Sequence, residues 1–468
     1  MGLDDNAFSK EKVSKLLFKF SIPAIVSLLV AELYNMVDTI FVGREIGGNA
    51  IAALVVVFPI QRIIAAVGML LAIGTSTSVA RSNGEKDYDS LKMYIKNSLS
   101  LVIVMIFTLI TIIFIFREKI LMFLGASNTV IPLANDYLSI IIVGSVFQCY
   151  TVVIGYILMS LGNRRVLLTS NFIGAITNII VDYVLVVLLD FGVKGAAIAT
   201  VASQILAFTY MLYHFIKANK VLKLKIRFSI NKETARSIIM IGFAAFIIEA
   251  EDGFALAVLN NLLLNNVGDI GVVISGVISK LSMFLFITIL GISAAMQPIA
   301  AYNAGAGQYD RLRKVVRESI IVALITSAVL WVGVLIFAKQ IISIFVKDNY
   351  IINESVKAFR IMISVFPIIS MYYVSIYYFQ AIGKAKSSFL LSIYRQIILF
   401  IPISVLLVGV LKLGAIGAWI SYPISDIISA LTSYFLIRRE RVRINKKVEE
   451  RKKKSDTRKA YGVPVYGN

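Results

Sequence analysis

The chain is a series of long apolar blocks, most of 20 residues or more, separated by short polar stretches. An apolar run of roughly 20 residues is what a helix needs to cross a bilayer. Such runs predict about twelve spans. They lie near 16–43, 51–80, 95–116, 131–161, 166–189, 193–215, 238–264, 272–301, 320–337, 358–382, 389–411 and 416–437. The period-two alternation of an outer-membrane barrel is absent from the pattern. The first run carries no small-residue cleavage pattern, so it reads as a retained span and not a removed signal peptide. The expected fold class is an all-α polytopic membrane protein.

Composition agrees: 58% of the residues are hydrophobic and the mean hydropathy is +0.84, too apolar for a soluble chain of 468 residues. The net charge of +20 would suit nucleic acid, but its distribution argues otherwise. Lys and Arg gather at 81–96, 164–165, 217–236, 311–317 and 384–386, all on the side of the amino terminus, while 47–49 and 265–270 opposite are sparse in positive charge. By the positive-inside rule both termini are expected in the cytoplasm. The basic tail from Arg438 to Lys459 is expected there too, against anionic lipid, with no nucleic-acid partner. One cysteine, Cys149, and one histidine, His214, leave no intrachain disulfide and argue against a zinc or thiol–imidazole site.

The chain also repeats itself. The stretch from Ala80 (ARSNGEKDYD) resembles that from Ala301 (AYNAGAGQYD), with Gly84 aligned to Gly305 and Tyr88 to Tyr309 at a constant separation of 221 residues. Gly162 and Gly383 keep this separation, and GAAI at Gly195 matches GAWI at Gly417 after a one-residue slip. A register held across much of the half-chain indicates duplication. An even number of spans per half gives both halves one orientation, hence two six-helix lobes related by a pseudo-twofold axis along the membrane normal. The expected divisions are an amino-terminal lobe 1–217, a connector 218–236, a carboxyl-terminal lobe 237–437 and a tail 438–468.

Ionisable groups inside spans are costly and mark candidate function. In the first span Asp38 either works as a switch or sits at an aqueous helix end; Pro23 earlier in that span removes a backbone donor and marks a bend. In the fifth, Asn178 and Asp182 are four apart and share a face, with Thr200 across a short hairpin. Their oxygens suit a proton or a small hard cation, or else a polar packing cluster. The seventh holds Glu249, Glu251 and Asp252, with Lys280 of the eighth as nearest partner in sequence. That group is either a cationic-substrate or second cation site, or a hydrated vestibule with an internal salt bridge. Arg62, Glu32, Arg395 and Asp426 are expected to pair internally or reach toward headgroups.

The words YNMVDTIFVG in the first span, N-x-x-x-D in the fifth, GVKGAAIAT leading into the sixth and the paired glycine loops resemble the multidrug and toxic compound extrusion (MATE) transporters. The first span resembles the bacterial and archaeal MepA/DinF-like side of that family. The resemblance implies a prokaryotic cell-membrane exporter of organic, mostly cationic and amphipathic compounds, driven by protons with sodium as the other candidate, and without a catalytic or cofactor site. It also implies an ion-coupling set of Asp38, Tyr137, Asn178, Asp182 and Thr200, with sodium able to use Asp38, Asn178 and Asp182, and a helix-bending role for Pro23. The NorM-like branch carries a tenth-span carboxylate; the tenth span here, MYYVSIYYFQ from Met371, has none. A lipid or lipid-linked oligosaccharide flippase of the same superfamily is the alternative. The expected partners of the exporter are small organic molecules and membrane lipids, and a monomer is expected.

Overall fold

The computed structural model describes residues 5–460 apart from 47, 125, 127, 164, 226, 346 and 347. Side chains at 5–7, 31, 33–40, 43–45, 48–49, 51, 252–253, 257, 269, 280, 344–345, 444 and 446–460 lie outside the description. Asp38, Asp252 and Lys280 are among them.

The described chain is helical nearly throughout. The amino-terminal helices are α1 (Asp5–Lys10), α2 (Val13–Glu45), α3 (Gly48–Glu85), α4 (Tyr88–Phe123), α5 (Ile131–Ser160), α6 (Val166–Asp182) and α7 (Gly192–Leu222). A π-helical turn, Tyr183–Leu188, continues α6. The carboxyl-terminal helices are α8 (Lys232–Val267), α9 (Asp269–Gly305), α10 (Tyr309–Phe345), α11 (Asn349–Met362), α12 (Ile369–Ala381), α13 (Ala385–Ile393), α14 (Ile401–Ser404) and α15 (Gly414–Ala460).

Ten described helices are long and apolar enough to cross a membrane, and α11 with α12, bent by 43°, makes an eleventh pass. At 36 residues, or about 54 Å, α8 is as long as the others but carries Glu249, Glu251 and a run of asparagines; with it the passes number twelve. The chain is a multi-pass membrane protein of the expected fold class. The helix bounds add three details. α7 ends at Leu222 and α8 begins at Lys232, both inside the stretch 218–236. α2 runs unbroken through Pro23. The basic tail continues the last span as one helix of 47 residues.

The lobes meet on the half that carries both termini. A Cβ at Gly84 would fall 2.0 Å from the carbonyl oxygen of Tyr302, and one at Gly305 would fall 2.1 Å from that of Arg81. Both members of this reciprocal contact are 221 residues apart, so the ends of α3 and α9 cross where the pseudo-twofold axis runs. Further along the membrane normal α3 closes on α8. A Cβ at Gly74 would meet the Ile238 oxygen at 2.1 Å, and one at Gly242 the Leu70 oxygen at 1.8 Å. Gly162 and Gly383, matched in sequence, end α5 and α12 with positive φ of 95° and 75°, a turn that L side chains resist.

Chain segments cross between the lobes at this terminal face. Phe8 stacks on Tyr302 with ring centroids 5.2 Å apart, and its carbonyl accepts from Arg311 Nε at 2.8 Å. In the reciprocal direction the connector donates from Ser229 N to Ser100 Oγ at 3.0 Å and from Asn231 N to Asn97 Oδ1 at 2.6 Å.

Candidate functional site

In the amino-terminal lobe α6 and α7 pack side by side, and their facing positions carry the polar pair. Asn178 Nδ2 lies 3.5 Å from Thr200 Oγ1, and both residues are buried. Asn178 Oδ1 has no hydrogen-bond partner among the described residues. One turn on, Asp182 is 0% exposed, at the junction where α6 gives way to the π-helical turn. A π turn widens the backbone locally and is frequent at functional positions. Tyr137, 2% exposed, lies in the same lobe on α5, which also packs on α7. Burying a carboxylate is tolerable when it is protonated, hydrogen-bonded or paired with a cation. Asp38 lies outside the described side chains, so the structure brings together Asn178 and Thr200, with Asp182 on their face, and does not place Asp38 beside them.

The other lobe differs at the matching positions. Positions 222 residues after Asn178, Asp182 and Thr200 hold Phe400, Ser404 and Tyr422. The Phe400 and Tyr422 rings are 4.3 Å apart, and Ser404 is buried. The duplication has kept the side-by-side contact, with rings in place of Asn178 and Thr200 and a hydroxyl in place of the Asp182 carboxylate.

Below the opening between α5, α6 and α7 is a cavity of about 220 Å³. Its polar groups are neutral, chiefly Gln148, Asn171 and Gln204, and α9 contributes Ala294 to its wall. Asn171 Nδ2 donates to Ser27 Oγ of α2 at 2.6 Å, which ties the cavity to the helix that carries Pro23.

Two of the seventh-span acids, Glu249 and Glu251, point to different sides of α8. Residues two apart on a helix point to opposite sides. Glu249 faces the cleft between the lobes, with its side chain 27% exposed, and accepts from Arg62 Nη1 at 3.4 Å. Arg62 Nη2 reaches Glu32 of α2, also at 3.4 Å, and the guanidinium lies 5.0 Å from the Phe58 ring centre. Arg62 thus joins two carboxylates from opposite lobes, as sequence-level pairing suggested in kind but without naming Glu249. Tyr156 of α5 and Tyr377 of α12, both buried, lie within electrostatic reach of Glu249.

Glu251 points into the carboxyl-terminal lobe, where it is 4% exposed and within electrostatic reach of Tyr372 and Arg395. Arg395 donates to Asp426 Oδ1 at 3.2 Å and to the Tyr373 hydroxyl at 3.1 Å, among the rings of Phe286, Tyr372 and Tyr373. Among the described residues this lobe therefore holds an ionic network centred on Arg395. Asp252 and Lys280 lie outside the described side chains.

The MatE family model matches residues 23–184 and 254–406, well over half of the sequence. The chain belongs to the MatE family. The matched stretches contain Pro23, Asp38, Tyr137, Asn178 and Asp182, whereas Thr200, Glu249 and Glu251 fall outside them. Among relatives of this MatE chain, the multidrug export protein MepA of Staphylococcus aureus (strain N315) is 24% identical over 431 residues, 92% of this chain and 94% of the relative. A solved outward-facing conformation of a multidrug resistance MATE family transporter of the MOP superfamily is similar with a TM-score of 0.90 at 23% identity, covering 95% of this chain and 100% of that one. A solved MATE in the bent conformation gives 0.89 at 23% identity, over 96% and 99% of the two chains. These structures share the MatE fold of two six-helix lobes, and the MepA relative agrees with the branch expected from the first span.

Proposed function

We propose that the chain is a secondary active exporter of organic, mostly cationic compounds, working by alternating access. The observation that carries this reading is the wholly buried Asp182 beside the Asn178–Thr200 pair, a carboxylate site in one lobe whose matching positions in the other are Phe400, Ser404 and Tyr422. A buried carboxylate can exchange a proton or a bound cation, so its occupancy by an ion and the packing of α6 against its neighbours are linked. Protons are the proposed driver. Sodium is the second candidate ion, drawn by the neutral oxygens of Asn178 and Thr200. Asp38 and Tyr137 are proposed members of the same set.

The lobes, 1–217 and 237–437, move as two bodies, with both termini in the cytoplasm. The terminal-face contacts then close the cytoplasmic side, and the cleft that holds Glu249, Arg62 and Glu32 opens outward. The carboxylate-lined cleft with Tyr156 and Tyr377 receives the substrate cation, since rings and carboxylates together favour amphipathic cations. The similarity to MepA, a multidrug export protein, supports this substrate class. The protein is taken to act as a monomer in a prokaryotic cell membrane.

The test is accumulation of a fluorescent organic cation in everted membrane vesicles. Accumulation that requires an imposed ion gradient and the expressed protein supports the reading. Equal accumulation with and without the gradient overturns it.

A further inference from the structure

Arg62 is a cation already seated between two carboxylates that belong to different lobes. Its guanidinium spans Glu32 of α2 and Glu249 of α8, at 3.4 Å from each. All three side chains are partly open, 33%, 22% and 27% exposed, although each lies in the middle of a long membrane helix. Charges at mid-membrane depth are costly against lipid, which favours a hydrated position between the lobes for all three. The Phe58 ring beneath the guanidinium and the tyrosines near Glu249 are the groups that an organic cation would use in its turn. Gly74, where α3 closes against α8, lies twelve residues along α3 from Arg62, about 18 Å. The arginine bridge thus stands on the α3–α8 seam, away from that close contact.

We propose that Arg62 is an internal stand-in for the substrate: a tethered cation that occupies the Glu32–Glu249 seat and that an organic cation must displace from Glu249. This deepens the proposed function and rests on its reading of the cleft as the cation site. Displacement has two consequences. A neutral compound does not compete for the carboxylate, so Arg62 lowers the affinity of cations alone and raises the threshold that weak cations must pass. The freed guanidinium retains Glu32, so substrate binding also breaks an ionic tie between the lobes at the point where they must rearrange. Arg62 acts by competition and is a specificity-determining residue, with Glu249 as the carboxylate that changes partner. The planar fork of arginine matters here, because it reaches both acids at once and a lysine ammonium is a single point charge.

The experiment is equilibrium binding of tetraphenylphosphonium, a monocation without hydrogen-bond donors, to the full-length protein in lipid nanodiscs. Variants Arg62→Gln, Arg62→Lys, Glu249→Gln and the Arg62→Gln/Glu249→Gln double are compared. Arg62→Gln is expected to tighten binding about tenfold, equivalent to about 1.4 kcal/mol, and Arg62→Lys about threefold, since lysine releases one carboxylate. Glu249→Gln weakens binding, and in the double variant the gain from Arg62→Gln disappears. Affinity for a neutral analogue of similar size stays within twofold in every variant. Unchanged or weaker phosphonium binding in both Arg62 variants, or a gain that persists without Glu249, overturns the proposal. Arg62→Lys decides alone should the glutamine variant not run as a monodisperse species. Absence of phosphonium binding to the unaltered protein, with no effect of Glu249→Gln, instead overturns the reading of the cleft as the cation site.

Discussion

Replacing Gly305 with alanine perturbs the contact that holds the terminal face shut. The added Cβ would lie 2.1 Å from the Arg81 carbonyl oxygen, where ordinary contact begins at 3.4 Å. The deficit of about 1.3 Å falls on backbone, which cannot rotate away as a side chain can. α9 must therefore part from α3, at an overpacking cost of about 1–3 kcal/mol. Much of that cost is borne only by the state in which these helices cross. The equilibrium between closed and open terminal faces should shift toward open by roughly 5- to 150-fold. Gly84→Ala, against the Tyr302 oxygen at 2.0 Å, should do the same from the other side of the axis. The assay is maleimide labelling from the terminal face of a cysteine at Ser82, which is buried between these contacts, in a Cys149→Ala background. Labelling should rise in both glycine variants. Gly333→Ala is the control, since a Cβ there meets nothing within 4 Å and α10 gains a better helix former. Equal labelling in Gly305→Ala and the control, with transport unchanged, would refute the reasoning that backbone contact at the axis forms the gate.

Pro23→Ala restores a backbone donor inside α2, and transport should slow while ion binding at rest persists; normal turnover in a proteoliposome flux assay would leave Pro23 a structural residue only. Arg395→Gln strands Asp426 among rings, so thermal unfolding should show a loss of about 3–5 kcal/mol, and Arg395→Gln/Asp426→Asn should recover part of it. Asp87 caps α4 by accepting from Ser90 N at 3.0 Å, and Asp87→Ala should cost about 1 kcal/mol in the same unfolding assay. Those Ser90 hydrogen bonds hold the Asp87 carboxyl below its ordinary value of 3.8. Its contribution is therefore present above pH 3.8 and is lost as pH falls through the lower, folded-state value, so the variant's deficit should shrink only in that acid range.

The passes and the duplication were legible because both are written in spacing. Apolar runs need no partner to be recognised, and Gly84 and Gly305 align before either is seen to press on the opposite lobe. The Asn178–Asp182 face was legible from the four-residue interval. What spacing leaves open is which helix face meets which lobe. Glu249 and Glu251 looked like one cluster until helix geometry sent one to the cleft and the other to Arg395. The pairing of Arg62 with Glu249 joins residues 187 apart in the chain, and only the docking of α3 on α8 brings them together. The exchange of Asn178 and Thr200 for Phe400 and Tyr422 could have been found by extending the repeat with its one-residue slip into the fifth and eleventh spans.

The most direct test of ion coupling at the amino-terminal lobe compares the unaltered chain with Asp182→Asn in everted vesicles, with pH and sodium gradients imposed one at a time at fixed membrane potential. The pH gradient should drive accumulation of the fluorescent cation in the unaltered chain. Asp182→Asn, folded and still binding the dye, should show no gradient-driven accumulation. Full gradient-driven accumulation by Asp182→Asn would contradict the assignment of coupling to the buried site beside Asn178 and Thr200.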